Sequence, residues 1–262
     1  MDLGLSDKVA LVTAASKGLG KAAALQFARE GARVAMCARS ETIDSAAAEI
    51  TEETGAEVLA IRADVTKQDD IDAFVQATLG KFGQIDVLIL NAGGPPPGTF
   101  LSLNVDDWQA AVELTLMSAV RLCYAVVPHM VERGSGSIVA VESVSVKQPV
   151  DGLLLSNSIR MSVIGMLKTM ANELGPQGIR INSVNPAWTH TGRVDQLMQA
   201  RAEAAGTTPE EEGVKVTTAV PLGRMGTVEE FGRTVAWLAS PAASFVHGHA
   251  LLFDGGAAKA AL

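Results

Sequence analysis

The feature that most constrains this chain is an alternation repeated along its length: short, almost wholly apolar runs separated by longer stretches of helical periodicity. Seven such runs stand out, at residues 8–14, 33–38, 57–63, 85–91, 137–143, 179–185 and 249–254. They are rich in Val, Ile and Leu and nearly continuous in apolar residues, as strands of a parallel sheet covered on both faces must be. Helical patterns fill the intervals at about 18–30, 41–54, 67–82, 105–133, 157–174 and 227–239. Gly31, Gly55, Gly83, Gly134, Gly175 and Gly178 fall near the helix ends, where a left-handed residue stops the helix. Strand–helix repetition implies right-handed crossovers, and therefore an α/β fold with a doubly wound parallel sheet of about seven strands and helices on both faces. No Pro- or Gly-rich linker divides the 262 residues, so 1–262 is read as one domain. Hydrophobic residues make up 48% of the chain, enough for a core that needs neither disulfide nor metal.

Charge narrows the functional classes. The formal net charge is −8 and no cluster of Lys and Arg appears, which argues against a nucleic-acid partner. Cys37 and Cys123 lie in apolar segments and read as core thiols of a reducing compartment. The opening "MDLGLSDKVALV" has no basic leader before an apolar run, and no uninterrupted apolar run reaches the ~18 residues of a membrane span. A soluble cytoplasmic protein without a membrane partner is the expectation. One segment breaks the rhythm: residues 187–226, weakly helical and with the acidic "PEEEG", separate a strand from the next helix. An excursion of this length belongs over the carboxyl ends of the strands, where ligands bind in such sheets, and is read as a substrate lid.

The first strand runs into "TAASKGLGKAAALQFARE". Gly18 and Gly20 close a tight turn as the helix starts, leaving backbone N–H groups free at a positive helix end, which suits a pyrophosphate. An NAD site usually carries an acidic residue about 20 positions further on, gripping the ribose 2′-hydroxyl. Here the second strand ends "CARS", with Arg39 in that neighbourhood and Lys17 in the turn itself. Two cations beside the adenosine ribose suit a 2′-phosphate, so NADP is favoured and NAD is the alternative.

These residues resemble the short-chain dehydrogenases/reductases, whose turn reads Thr-Gly-x-x-x-Gly-x-Gly; Thr13, Gly18 and Gly20 match it and Ala14 replaces the first glycine. Asp64-Val65, Asn91-Ala92-Gly93, "ELGPQGIRINSVNPAWTHT" with Ala187 in place of glycine, and Asp254-Gly255-Gly256 are similar to further family motifs in the same order. The resemblance covers almost the whole chain and is nearest to the β-ketoacyl-carrier-protein-reductase-like branch. It implies a Rossmann-type fold and a homo-oligomer, tetramer or dimer. It also implies a cofactor site built from Thr13, Ala15, Ser16, Lys17, Gly18, Leu19, Gly20, Arg39, Ser40, Asp64, Val65, Asn91, Ala92, Gly93, Arg160, Pro186, Ala187, Trp188, Thr189 and Thr191.

The resemblance fails at the catalytic address. The family's set is Asn, Ser, Tyr and Lys, with the last two as Tyr-x-x-x-Lys. Ser143 matches the serine, but the tyrosine position falls on Ser156, the lysine position on Arg160 and the asparagine position on Thr115. The single tyrosine, Tyr124, lies within a long helical stretch and is a poor stand-in. A phenol can be tuned to exchange a proton near neutrality, whereas an alkyl hydroxyl cannot ionise comparably. Arg stays protonated, yet it can hold ribose hydroxyls or stabilise oxyanion charge. Lys147, four residues past Ser143, is a further candidate acid. The plain alternatives are Ser156 as a helix cap, Arg160 and Lys147 as surface charges, and Thr115 as helix packing. His190 would sit in the lid, while His247 and His249 alternate on a presumptive strand with no third metal ligand nearby. Three prolines stiffen "NAGGPPPGTF" into one wall of the pocket.

The expected activity is NADP(H)-dependent hydride transfer to or from a carbonyl or alcohol, with acyl thioesters among the candidate small-molecule substrates. Ser143, Ser156, Arg160 and Lys147 are the catalytic candidates, and no metal is called for. The alternative is a nucleotide-binding protein without redox turnover, a sensor or assembly partner, because losing the proton donor costs about 10²–10⁴-fold in rate.

Overall fold

The computed structural model describes residues 2–260. Seven parallel strands form one sheet in the order β3-β2-β1-β4-β5-β6-β7. They are β1 (Val9–Val12), β2 (Arg33–Ala38), β3 (Val58–Arg62), β4 (Val87–Leu90), β5 (Gly136–Val141), β6 (Ile179–Pro186) and β7 (Ala250–Phe253). Every residue of β1 and β4 is buried, whereas the edge strands β3 and β7 are only half covered. The near-continuous apolar runs thus mark the strands with helices on both faces.

On one face α1 (Gly18–Arg29), α2 (Thr42–Thr54) and α9 (Val228–Ala239) cover the sheet through Phe27, Ile43, Ile50, Phe231 and Val235. On the other, α3 (Gln68–Phe82), α5 (Ser118–Arg133) and α6 (Leu154–Leu174) bury Phe74, Leu122, Val126, Val163 and Leu167 against Leu11, Leu88 and Ile138. Cys37 and Cys123 are free thiols in this second core, and burial pushes both up to about 12.

Several elements differ from the sequence expectation in instructive ways. The helical stretch 105–133 is not uniform: α4 (Val105–Ala111) and α5 are joined by a π-helical turn, Val112–Met117. By length and composition the stretch could cross a membrane, but Ala119, Leu122, Cys123, Val126 and Met130 of its inner face are packed on the sheet. Gly55, Gly83 and Gly134 are left-handed helix caps as expected. Gly175 is not: it stays right-handed at φ −53°, because a short 3-10 turn continues the chain, and Gly178 at φ +80° makes the stop. α6 begins at Leu154, so Ser156 lies inside the first turn and does not cap it. His247 and His249 precede β7 instead of lying on it. The His247 ring is spent on structure, with Nδ1 accepting from the Ile181 N–H and Nε2 lying 2.8 Å from the Ala171 carbonyl.

The excursion after β6 folds into α7 (Gly192–Ala205) and α8 (Pro209–Ala219). Its two ends are pinned together by Gly226 N–H to Trp188 O and His190 N–H to Gly226 O. The helices close on a small apolar cluster of their own, Val194, Met198 and Val216 with Trp188, Leu197 and Met225, separate from the two sheet cores.

Candidate active site

The strand order reverses between β1 and β4, which opens a crevice at their carboxyl ends. Thr13 and Asn91 tie that crevice shut at its base. The Thr13 hydroxyl donates to Asn91 O at 2.7 Å and accepts from the Asn91 N–H at 3.0 Å, while Asn91 Nδ2 donates to the carbonyls of Thr13 and Ala14. The chain then turns through Ala14 at φ +49° and Gly18 at φ +58° into α1. Gly20 is a steric requirement: a Cβ there would lie 2.5 Å from Ala14 O and 2.7 Å from Asn91 Nδ2. Lys17, the N-cap, makes no side-chain cap bond at the positive end of the helix. Ala15 is buried under the turn, and Ser16, Gly18 and Leu19 line its half-open rim. A pyrophosphate fits this cradle of small residues and free N–H groups.

The adenosine end is equally well formed. Arg39 and Ser40 are exposed beyond β2, and the Ser40 hydroxyl is hydrogen-bonded to that of Thr42. Asp64 follows β3, with Val65 buried behind it. Burial pulls the Asp64 carboxyl up, but bonds from the Thr66 N–H and hydroxyl and the charges of Arg39 and Lys67 outweigh it, holding the group below the usual range. No acidic side chain stands where Arg39 does.

At the other end of the crevice the structure gathers Ser143, Ser156 and Arg160 into one hydrogen-bonded string and leaves Lys147 outside it. Ser143, just past β5, accepts from the Ser145 N–H at 3.1 Å. Ser145 Oγ lies 3.4 Å from Ser156 Oγ, and Arg160 donates Nε–H to Ser156 Oγ at 3.1 Å. Arg160 Nη1 then bonds the Val141 carbonyl at 3.2 Å and the Glu142 carboxylate at 3.0 Å. The string therefore returns to the end of β5, one residue before it began. Arg160 and Glu142 are 8% and 7% exposed, so this is a buried ion pair and not a surface charge. Burial outweighs the attraction of Arg160 and pushes Glu142 up to about 7.

Glu142 was not among the sequence candidates. The signal was there: an acid closing an otherwise apolar strand needs a buried cation. Arg160, expected to be free for a ribose, is committed instead to Glu142, Val141 O and Ser156, because a buried guanidinium seeks acceptors within the fold. Lys147 is half-buried at the end of the 3-10 turn Val144–Val146. Thr115 lies in the π-helical turn, buried, with a hydroxyl that has no partner among the described residues.

The loop after β6 completes the crevice only in part. The Thr191 methyl faces the glycine turn: a Cβ on Gly18 would lie 3.7 Å from it. Pro186 ends β6 and Ala187 N–H bonds Phe253 O. Trp188 directs its ring into the excursion's own cluster, with the Arg201 guanidinium 4.8 Å above it, and Thr189 has a buried hydroxyl without a protein partner. Ala92 is half-buried and Gly93 exposed at the start of the proline loop. Arg193, unremarked in the sequence, reaches from α7 to that loop, donating Nη2–H to Pro95 O at 2.7 Å.

Comparison with known proteins places this geometry. Residues 13–258 match the family model described as enoyl-(acyl carrier protein) reductase. The chain is 35% identical over 255 residues to the 3-oxoacyl-[acyl-carrier-protein] reductase of Synechocystis sp., covering 96% of this chain and 97% of that one. L-sorbose reductase from Gluconobacter frateurii, solved with NADPH and L-sorbose, superposes with a TM-score of 0.93 at 32% identity, covering 99% of each chain. A variant of actinorhodin polyketide ketoreductase, solved with NADPH, gives 0.93 at 33% identity, over 97% of this chain and 98% of that one.

Proposed function

The chain belongs to the short-chain dehydrogenase/reductase family, and from that premise we propose that it is an NADP(H)-dependent oxidoreductase acting on the carbonyl of a small molecule. The observation that carries the cofactor half is the crevice between β1 and β4, with its glycine cradle at one end and an exposed Arg39 at the other. NADPH, when bound, supplies the hydride. Gly18, Gly20 and Thr191 hold its pyrophosphate region, and Lys17 and Arg39 hold the 2′-phosphate. Relatives that reduce 3-oxoacyl thioesters and sugars make a carbonyl substrate the natural reading.

The carbonyl is held by hydroxyls. Ser156 Oγ accepts from Arg160 Nε–H, which leaves its own proton to donate and polarises it; Ser143 Oγ accepts from the Ser145 N–H and is likewise a free donor. Arg160, kept in place by Glu142, orients Ser156 through its Nε–H. Lys147, half-buried at the end of the 3-10 turn that follows Ser143, is the candidate to deliver the proton to the alkoxide oxygen. The excursion 187–226 acts as the lid: it has its own small core, its ends are pinned to each other, and it meets the body through bonds such as Leu222 N–H to Gly255 O and Arg193 to Pro95 O. We read the protein as cytoplasmic, its two free thiols suiting a reducing compartment. We also read it as a homo-oligomer, since Phe100, Leu101, Val105 and Tyr124 stand exposed around α4 and α5.

Titrating the protein with NADPH and with NADH, then following NADPH consumption over a panel of ketones, keto acids and 3-oxoacyl thioesters, tests the reading. Preferential NADPH binding with turnover of a carbonyl supports it. Binding without turnover on any carbonyl would instead support a nucleotide sensor, and absence of binding would end both.

A further inference from the structure

Arg193 is a cation without a counter-charge. It is half-buried at the second residue of α7, and among the described residues no carboxylate reaches salt-bridge distance of it. Of the five N–H donors a guanidinium carries, one is used within the protein, on Pro95 O. Two other arginines of this chain are better provided for, although Arg33 Nε and Arg121 Nη1 also lack partners among the described residues. Arg160 has Glu142, and Arg180 donates to the carbonyls of Leu238, Ala239, Ser240, Ala243 and Val246. Burial lowers the Arg193 pKa, and the positive charge of Arg160 lowers it further, so the guanidinium stands within electrostatic reach of the catalytic string.

The surroundings are shaped for it. The facing loop, residues 93–98, is Gly-Gly-Pro-Pro-Pro-Gly and carries no charge. A Cβ on Gly94 would come within 3.3 Å of both Nε and Nη2, so that glycine is what lets the guanidinium lie against the loop. The N-terminus of α7, capped by Thr191, adds a second positive contribution at the same place. A cation held in an uncharged wall, repelled by its neighbour and left with unused donors, is stabilised by an anion entering from the pocket. Thr191, the cap of α7, faces Gly18 in the phosphate cradle, whereas Arg193 turns to the proline loop, against Gly94 and Pro95.

We propose that Arg193 is the anion-recognising residue of the substrate pocket, and that the carbonyl compound reduced here carries a carboxylate close to its reacting carbon. This rests on the oxidoreductase reading and narrows its substrate class. Bidentate Arg–carboxylate pairing would also draw α7 onto the proline loop, so that an acid substrate closes its own lid.

The test uses two redox-inert probes of one shape, 3-phenylpropanoate and its amide, titrated calorimetrically into the full-length protein saturated with NADPH. The wild type should prefer the carboxylate by about 10-fold or more, Arg193→Gln should erase that preference, and Arg193→Lys should restore part of it. Equal affinity for acid and amide in the wild type, or a preference that survives Arg193→Gln, overturns the proposal. So does a loss of NADPH affinity in Arg193→Gln as large as the loss of carboxylate affinity, which would assign the residue to the cofactor. Failure of the wild type to bind NADPH would sink the oxidoreductase reading instead; the same two probes, run on the protein alone, then decide Arg193 by the same criteria.

Discussion

Glu142→Gln isolates the buried ion pair with almost no change of shape. Glu142 is pushed up to about 7 from an ordinary value of 4.5, because burial outweighs the pull of Arg160. The sign follows from linkage. Below the unfolded value the carboxyl is neutral in both states; between the two values the folded protein holds a proton that the unfolded chain has released; above the folded value both are ionised. The raised value therefore contributes stability that is fully present below about 4.5 and is lost as pH rises through 7. The full swing is 7 − 4.5 = 2.5 units, or roughly 3 kcal/mol at about 1.36 kcal/mol per unit. From about pH 5.5 to 8.5, clear of the region where a chain of this acidity precipitates, roughly 2 kcal/mol of it is accessible. The assay is urea unfolding of wild type and Glu142→Gln at several pH values in that window. The stability of the wild type relative to the variant should fall by that amount as pH rises. A difference that stays flat, or grows with pH, would mean that the ion pair holds Glu142 at or below its ordinary value, and the desolvation argument would be wrong.

Three further outcomes follow from the cofactor crevice. Gly20→Ala places a methyl 2.5 Å from Ala14 O and 2.7 Å from Asn91 Nδ2, so the turn must open; calorimetry should show NADPH affinity down by about 10-fold or more, with about 1–3 kcal/mol of stability lost. Ala14→Gly relieves a left-handed φ of +49° on a residue with a Cβ and should raise stability by about 0.5–1 kcal/mol, read as a higher Tm. Arg39→Glu exchanges the cation beside the adenosine ribose for the acid that an NAD site carries, so NADPH affinity should drop by about 10-fold or more while NADH affinity holds or improves.

Much of this was written in the sequence, for reasons that can be named. Most strands were legible because a strand covered on both faces is nearly all apolar, as in β1 and β4; β6 is the exception, burying Asn182, Ser183 and Asn185. The glycine turn was legible because Gly20 answers a contact between backbone atoms, which no other side chain can satisfy. What escaped were features set by long-range approach. Gly175 and Gly178 look alike in sequence, and only the 3-10 turn between them assigns the left-handed stop to the second. The π-helical turn at Val112–Met117 leaves no local mark in composition, yet it carries Thr115, the residue at the asparagine position. Trp188 sits in a motif that resembles a cofactor loop, but its ring is claimed by the excursion's own core. Arg193 could not be told from any other helical arginine until the proline loop was placed against it.

The altered catalytic address makes sense as a pair of exchanges and not as a loss. An ammonium on the α6 side of the crevice can lose its proton when buried; a guanidinium cannot, and at 8% exposure it is paired with an acid. Glu142 is that acid, supplied from the end of β5, the strand that also presents Ser143. Once the charge is balanced there, the Arg160 Nε–H is directed at Ser156 and orients its hydroxyl. Arg160 and Glu142 thus act on the reaction through Ser156, and the two should fail together. Arg160→Met should cost as much turnover as Ser156→Ala, and the double variant about the same as either alone, since residues working as one unit are strongly non-additive. Losses that multiply in the double variant would show that Arg160 has a separate task and would return it to the cofactor ribose.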